Sequence, residues 1–438
     1  MKKSMAITAA IVAVLALAGC SGASPAANSN ETVTIKWDTW NPGKDAAAKL
    51  IKEFEATHPK IKIDYEFHEY SDYPDALRTE LASGTGPDVW FAKPGAFATE
   101  FADLGVDLAP YAKKQWGADW KKRFYDIGLA QADVKGRTVA LPWMLLASGV
   151  VWYNQNNFTK AGITTPPATM ADLVTDANKL RAAGFVPFAQ GAQDNWINEY
   201  TFMAIANQTA PGVLENAQVG KAKWTDPGLL KAMDVWKSLF TDHIMQPGAL
   251  GVPQYPDVAE KFFGGKTSMF FGGSWDNNSA LSTSGIDYQK SLGTPAGTVF
   301  HAFMFPDVDG DGQPATANGG ADTSIMMNAT SKYPKQTWTF ISWLLGDGGQ
   351  KDRASYLIPP AVKGYPLDTA NLASPAEQAG DLKLVMTAIG NAKYTTELSS
   401  ADVEQAFGTA LQAVASGQKS SADALAAVQT AEDKVLAK

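Results

Sequence analysis

From Thr32 onward the apolar positions recur with two alternating periods. Val33, Ile35 and Trp37 are separated by polar residues, as are Ile61, Ile63, Tyr65 and Phe67, and a period of two predicts half-buried strands. Between them Ala47, Leu50, Ile51 and Phe54 repeat at three and four residues, which predicts a helix with one apolar stripe. A second helix over residues 75–83 leads through Gly84-Thr85-Gly86-Pro87 to Asp88-Val89-Trp90-Phe91-Ala92. That short apolar run suits a parallel strand covered on both faces. The order strand, helix, strand, helix, strand predicts a doubly wound α/β sheet.

A second α/β lobe is predicted further along. Leu141-Pro142-Trp143 and Val150-Val151-Trp152-Tyr153-Asn154 form a β-rich run that reads as the crossing between lobes. A helix over 172–180, a strand over 184–188 and a helix opened by Gln193-Asp194-Asn195-Trp196 follow. Met269, Phe270 and Phe271 then predict a strand ending in the turn Gly272-Gly273-Ser274-Trp275-Asp276. Residues 304–312 read as a polar return crossing, 324–327 as a strand and 334–345 as an amphipathic helix. Val403, Ala406, Phe407, Ala410, Leu411 and Val414 mark a late helix. The lobes are therefore expected to comprise residues 31–147 with 313–356, and 148–312 with 357–438, joined by crossing hinge strands.

Composition changes this picture little. With 438 residues, 45% of them hydrophobic, the chain has enough apolar surface for two or three packed lobes without metals or disulfides, and its single Cys forbids an internal bridge. A formal charge of -8, from 37 basic against 45 acidic residues, excludes the clustered basic surface that a nucleic-acid partner requires. Lys2 and Lys3 precede a 15-residue apolar run from Met5 to Gly19, shorter than the roughly 20 residues that span a bilayer. Leu17-Ala18-Gly19-Cys20 resembles a bacterial lipoprotein signal, in which residues 1–19 are removed and Cys20 carries the lipid; an ordinary secretory leader is the alternative. Residues 20–30, small and polar, read as a flexible tether.

In a doubly wound sheet the loops converge at the carboxyl ends of the strands, so ligands bind there. Strand one ends before Trp40 and Asn41, strand two before Tyr70, Asp72 and Tyr73, and strand three before Lys93. Three crossovers would bring an indole, two phenols, a carboxylate, an amide and an ammonium to one edge.

Several segments in fixed order resemble the family 1 extracellular solute-binding proteins of bacterial ABC importers, the maltose-binding-like group that serves sugars. They include Leu81-Ala82-Ser83-Gly84 with Gly86-Pro87-Asp88-Val89, Val134-Lys135-Gly136-Arg137 with Leu141-Pro142, Trp152-Tyr153-Asn154 with Phe158-Thr159-Lys160-Ala161-Gly162-Ile163, Pro166-Pro167-Ala168-Thr169, Gly273-Ser274-Trp275, Gly319-Gly320 and Asn328-Ala329-Thr330. The resemblance implies a type II periplasmic-binding fold. Its two lobes would close on a di- or oligosaccharide and present it to a permease, with the chain lipid-anchored outside the membrane, monomeric and free of cofactors. It carries Trp196, Trp275 and the loop after Ala92 into the site. Near Glu404, where relatives offer an aromatic ring, this chain has Asp402, Glu404 and Gln405, so that subsite is expected to be more polar.

Sugar rings present C–H faces and hydroxyl edges, so a site needs flat aromatic platforms flanked by fixed donors and acceptors. Trp40, Trp196 and Trp275 arrive on turns beside Asn41, Asn195 and Asp276. Trp143, Gln193, Asp194, Gly320, Asp322 and Glu404 complete the expected ligand set, whereas Trp37, Trp90, Trp152, Trp236, Trp338 and Trp343 read as core. Asp307-Val308-Asp309-Gly310-Asp311-Gly312 imitates half of a calcium loop, but Asn318 stands at the twelfth position, where a bidentate Glu belongs. It is read as an acidic turn, and no metal is expected. No nucleophile elbow, zinc helix or phosphate loop occurs. A surface-anchored glycoside hydrolase or lyase is the competing reading, because paired carboxylates cannot be recognised from spacing alone, and a polysaccharide-gripping adhesin is a third.

Overall fold

The computed structural model describes residues 31–438; Cys20, the leader and the tether lie outside the described residues. Strand β1 (Val33–Thr39), helix α1 (Lys44–Thr57), strand β2 (Ile61–Phe67), helix α2 (Tyr73–Ser83) and strand β3 (Val89–Ala92) open the first lobe. β1 buries Val33, Ile35 and Trp37 while Thr34 and Lys36 face solvent, as the period of two requires. β3 is buried along its whole length, since β1 lies parallel to it on one side and another strand covers the other. Ala47, Leu50 and Phe54 form the buried stripe of α1.

Strand β4 (Leu141–Asn154) is buried throughout its 14 residues and belongs to both lobes. The second lobe adds strand β5 (Val186–Ala189), helix α3 (Asn195–Thr209), and strands β6 (Thr267–Gly273) and β7 (Phe300–Met304). Strand β8 (Asn318–Met327) then returns to the first lobe, and strand β9 (Tyr394–Thr395) and helix α4 (Ala401–Ala415) follow. The order β2-β1-β3-β8-β4-β6-β5 forms one mixed sheet, with β7 attached to β4 and β9 to β8. β4 pairs antiparallel with β8 over its first half and with β6 and β7 over its second. Gly149, at φ 81°, occupies the shift in register between those halves, a backbone conformation that glycine adopts without a side-chain penalty.

The return crossing therefore falls at β8, not at residues 304–312. β7 ends at Met304, and in the following turn the Asp307 carboxylate accepts the backbone N–H groups of Asp309, Gly310 and Gly312 at 3.0, 2.7 and 2.8 Å. Asn318-Gly319-Gly320 hid the first half of β8, because glycines weaken the strand signal. Separate cores fill the two lobes. Trp37, Leu50, Phe91, Trp143, Phe340 and Ile358 share one; Ile197, Met203, Trp236, Phe271, Ala315 and Phe407 share another. α3 is buried on every side from Ile197 to Ala206, since it packs on the helix Pro227–Thr241, on α4 and on β4. Among the described residues no helix is long and apolar enough to cross a membrane.

Candidate functional site

A cavity of about 490 Å³ opens where the loops of both lobes converge. Eight of the expected ligand residues line it: Trp40, Asn41, Tyr70 and Lys93 from the first lobe, Trp196, Trp275 and Asp276 from the second, and Asp322 from β8. The aromatic rings meet across the opening. Tyr70 stands edge-on to Trp196 at 6.1 Å between ring centres, and Trp196 lies parallel to Tyr255 at 6.2 Å and edge-on to Trp275 at 6.0 Å. Such offset and edge-to-face arrangements place the negative face of one ring near the positive edge of another.

The turn after β6 explains how a platform and an acceptor arrive together. A Cβ at Gly273 would lie 2.1 Å from the Trp275 ring, and one at Gly272 would lie 2.2 Å from the Asp276 carboxylate. Only two glycines allow both side chains to fold back onto the strand end. Trp275 Nε1 donates to Tyr255 Oη at 2.7 Å, Tyr255 Oη donates to Asp276 Oδ1 at 2.7 Å, and Gly273 N donates to Asp276 Oδ2 at 3.2 Å. Burial nevertheless pushes the Asp276 carboxyl up to about 7, because these two bonds only partly replace the lost water.

The cavity floor holds a buried ion pair. Lys93 Nζ donates to Asp322 Oδ1 and to Tyr200 Oη, both at 3.0 Å, and lies 3.6 Å from Glu397 Oε1. Tyr200 in turn donates to Glu397. Burial opposes the charge on Lys93, yet Asp322 and Glu397 hold its ammonium above the ordinary lysine range. The same ammonium lies 5.5 Å from the centre of the Tyr70 ring, 5.9 Å from that of Trp196 and 5.4 Å from that of Tyr200. Asp322 reaches it because β8 is irregular there. The register with β4 shifts on either side of Thr323, which re-aims the side chain toward the cleft.

The remaining expected residues sit elsewhere. Trp143 is fully buried in the first-lobe core, against Phe91 at 4.9 Å and beneath the Arg353 guanidinium at 4.7 Å, so it supplies packing and no cavity wall. Tyr73 lies under the site, where it supports the Trp40 ring and donates to Phe91 O at 2.7 Å. Asp72 and Gln193 are exposed outside the cavity, and Asp194 accepts the Gln254 backbone N–H at 2.8 Å. Asn195 turns away from the cleft to fill the space that Gly408 leaves on α4. Gly320 is buried in the β8–β4 pairing. Glu404 lies behind Lys93, where burial and the neighbouring Glu397 raise its carboxyl to about 7.

Seven lining residues escaped the sequence analysis: Gly43, Phe67, Glu69, Tyr200, Tyr255, Ser279 and Tyr288. Tyr200 follows Trp196 by one helical turn, a spacing that puts both on one face, so a signal for it existed. Glu69 adjoins Tyr70. Tyr255 and Tyr288 come from irregular and helical segments with no nearby marker.

Two lobes that share a mixed sheet, are crossed by buried strands and enclose an aromatic cleft define the type II solute-binding architecture. The sequence profile of the bacterial extracellular solute-binding proteins matches residues 39–351, and this chain belongs to that family. It is 25% identical over 371 residues to a diacetylchitobiose binding protein of Streptomyces coelicolor, an alignment covering 81% of this chain and 80% of that one. It is likewise 25% identical over 470 residues to an erythritol/L-threitol-binding protein of Mycolicibacterium smegmatis, covering 96% and 92%. Among solved structures, a chitin oligosaccharide binding protein superposes with a TM-score of 0.75 at 22% identity, covering 93% of this chain and all of that one.

Proposed function

We propose that this protein is the extracellular receptor of an ABC importer for a di- or oligosaccharide, which it binds in the interlobe cavity and releases unchanged. One observation carries the reading: aromatic platforms from both lobes face one cavity whose rim also offers carboxylates, hydroxyls and an amide. The relatives that bind diacetylchitobiose and a four-carbon polyol support a polyhydroxylated ligand. A cavity of about 490 Å³ favours the saccharide over the smaller polyol. Anchoring by a lipid on Cys20, delivery to permease subunits and action as a monomer complete the proposal, and the first of these rests on Leu17-Ala18-Gly19-Cys20.

A binding role is favoured over hydrolysis by the state of the carboxylates. Asp322 is neutralised by Lys93 and Asp276 is held by Tyr255 and Gly273, which leaves Glu69 as the one cavity-lining carboxylate outside such a pairing and so without a second free carboxylate to work with. Incubation with labelled oligosaccharides should return them at full length; shorter products would overturn the reading. A sugar library screened by thermal shift identifies the ligand, since binding to the folded state raises the melting temperature by mass action. With that ligand, Trp196→Ala and Trp275→Ala should each weaken calorimetric affinity by about 1 kcal/mol or more, the share expected of ring stacking. Unchanged affinity in both variants would remove these rings from the site.

A further inference from the structure

Beneath the loops that carry Trp40 and Tyr70, a second group of ligating side chains converges on the polar face of the first-lobe sheet. Asp38 on β1 stands directly opposite Glu66 on β2, His68 follows one residue beyond the end of β2, and Glu80 reaches in from α2. One ligating atom from each of the four lies within 4.8 Å of all the others. Among the described residues no lysine or arginine lies within 4 Å of their charged atoms, Lys36 acting on Asp38 only from farther along β1, and their one internal ionic contact is His68 Nε2 to Glu66 Oε1 at 3.7 Å.

Asp38 makes this more than a solvated acidic patch. It is 4% exposed, and no N–H or O–H group among the described residues donates to its carboxylate except through the Glu80 carboxyl beside it. Two carboxyl groups in contact under a helix require a proton or a cation between them. Glu66 lies on the outermost strand and is largely exposed, with His68 just beyond the strand end, so an ion has a path in from solvent.

We infer that Asp38, Glu66, His68 and Glu80 form a divalent-cation site suited to zinc. Three carboxylate oxygens and one imidazole nitrogen supply the four ligands of a tetrahedral zinc centre, and the imidazole disfavours calcium and magnesium, which take oxygen ligands. The site would tie β1, β2 and α2 together under the binding cleft. His68 N already donates to Thr39 O at 3.1 Å, and the next residues of the two strands are Trp40, Glu69 and Tyr70 of the cavity wall. An ion here therefore braces two cleft loops from below without touching the ligand.

The test uses zinc alone, without sugar, on the full chain after chelator treatment. Calorimetric titration with zinc chloride should show a saturable site, and zinc should raise the melting temperature by mass action. His68→Ala and Glu80→Gln should each weaken zinc binding at least about tenfold, the scale on which ligand-sphere changes act. Asp309→Asn with Asp311→Asn, in the distant acidic turn, should bind zinc as the parent does. Calcium should bind the parent at least about tenfold more weakly than zinc, given its preference for oxygen ligands. The site assignment is overturned by an absence of zinc heat and of any melting shift, or by parental affinity in either His68→Ala or Glu80→Gln. Equal affinity for calcium would overturn the choice of metal. Melting in chelator shows whether each variant folds.

Discussion

Replacing Lys93 by methionine should lower the free energy of unfolding by about 3 to 5 kcal/mol, the cost of leaving a buried carboxylate without its partner. The side chain is 6% exposed, and its ammonium is shared by Asp322, Glu397 and Tyr200. These groups come from different parts of the fold: Lys93 follows β3 of the first lobe, Tyr200 lies on α3 of the second, and Asp322 interrupts the crossing strand β8. Loss of the cation leaves Asp322 and Glu397 facing each other in a poorly solvated floor, beside Glu404 and Glu199. Glu199 has no spare capacity to absorb that charge. Its Oε1 is buried without a hydrogen-bond partner, and burial together with Glu404 holds its carboxyl well above the ordinary range. Urea denaturation at pH 7 reads the effect as a shifted midpoint with an unchanged slope. Adding Asp322→Asn to Lys93→Met should recover part of the loss, because the cycle then removes both members of the pair. A free energy of unfolding within about 1 kcal/mol of the parent, the scale of exposed pairs, would show that the ion pair is open to water.

The same network shows where sequence reading stops. The first lobe was legible because its strands and helices follow periods of two and of three to four, and because a β-α-β order fixes which strand ends meet. Trp40, Tyr70 and Lys93 were placed on one edge by that topology alone. Trp275 and Asp276 were legible for a different reason: two glycines before an indole and a carboxylate announce a backbone that lets large groups fold back. Trp143 failed because an indole before a crossing strand has the same local pattern whether it faces a cleft or a core. Only the partners decide, and here they are Phe91 and Arg353. Asn195 failed likewise, since its direction is set by Gly408, more than two hundred residues away. Tyr255, Tyr288 and Glu397 carry no periodic signal, because long-range packing brings them to the cleft. The buried strand β8 was half hidden by the glycines that let it cross.

Stability should fall as pH rises from about 4 to about 7, and Asp276→Asn should remove one carboxyl group's share of that slope. The Asp276 carboxyl titrates near 7 in the folded chain, with burial as the main cause. In the unfolded chain an aspartate titrates near 3.9. Between these values the unfolded chain has released the proton and the folded chain retains it, so the folded state binds more protons and unfolding gains ground with every step up in pH. A difference of about 3 units corresponds to roughly 4 kcal/mol, absent below pH 4, accumulated by pH 7 and constant above it. Glu404, also raised to about 7, and the buried carboxyls of Glu199 and Asp38, raised as well, add slopes of the same sign that persist in the variant. Asparagine keeps the shape of the side chain and never ionises. Whatever it costs in its bond with Tyr255 is nearly independent of pH, so the diagnostic quantity is the change in the stability difference between variant and parent. That difference should move in favour of Asp276→Asn by several kcal/mol between pH 4 and pH 7, read by denaturant titration at each pH. Parallel curves would mean that Asp276 ionises as readily in the folded protein as in water. The cleft has the same linkage. A ligand hydroxyl that donates to Asp276 favours its ionised form, so affinity for such a ligand should strengthen as pH rises through 7, and the asparagine variant should lose that dependence.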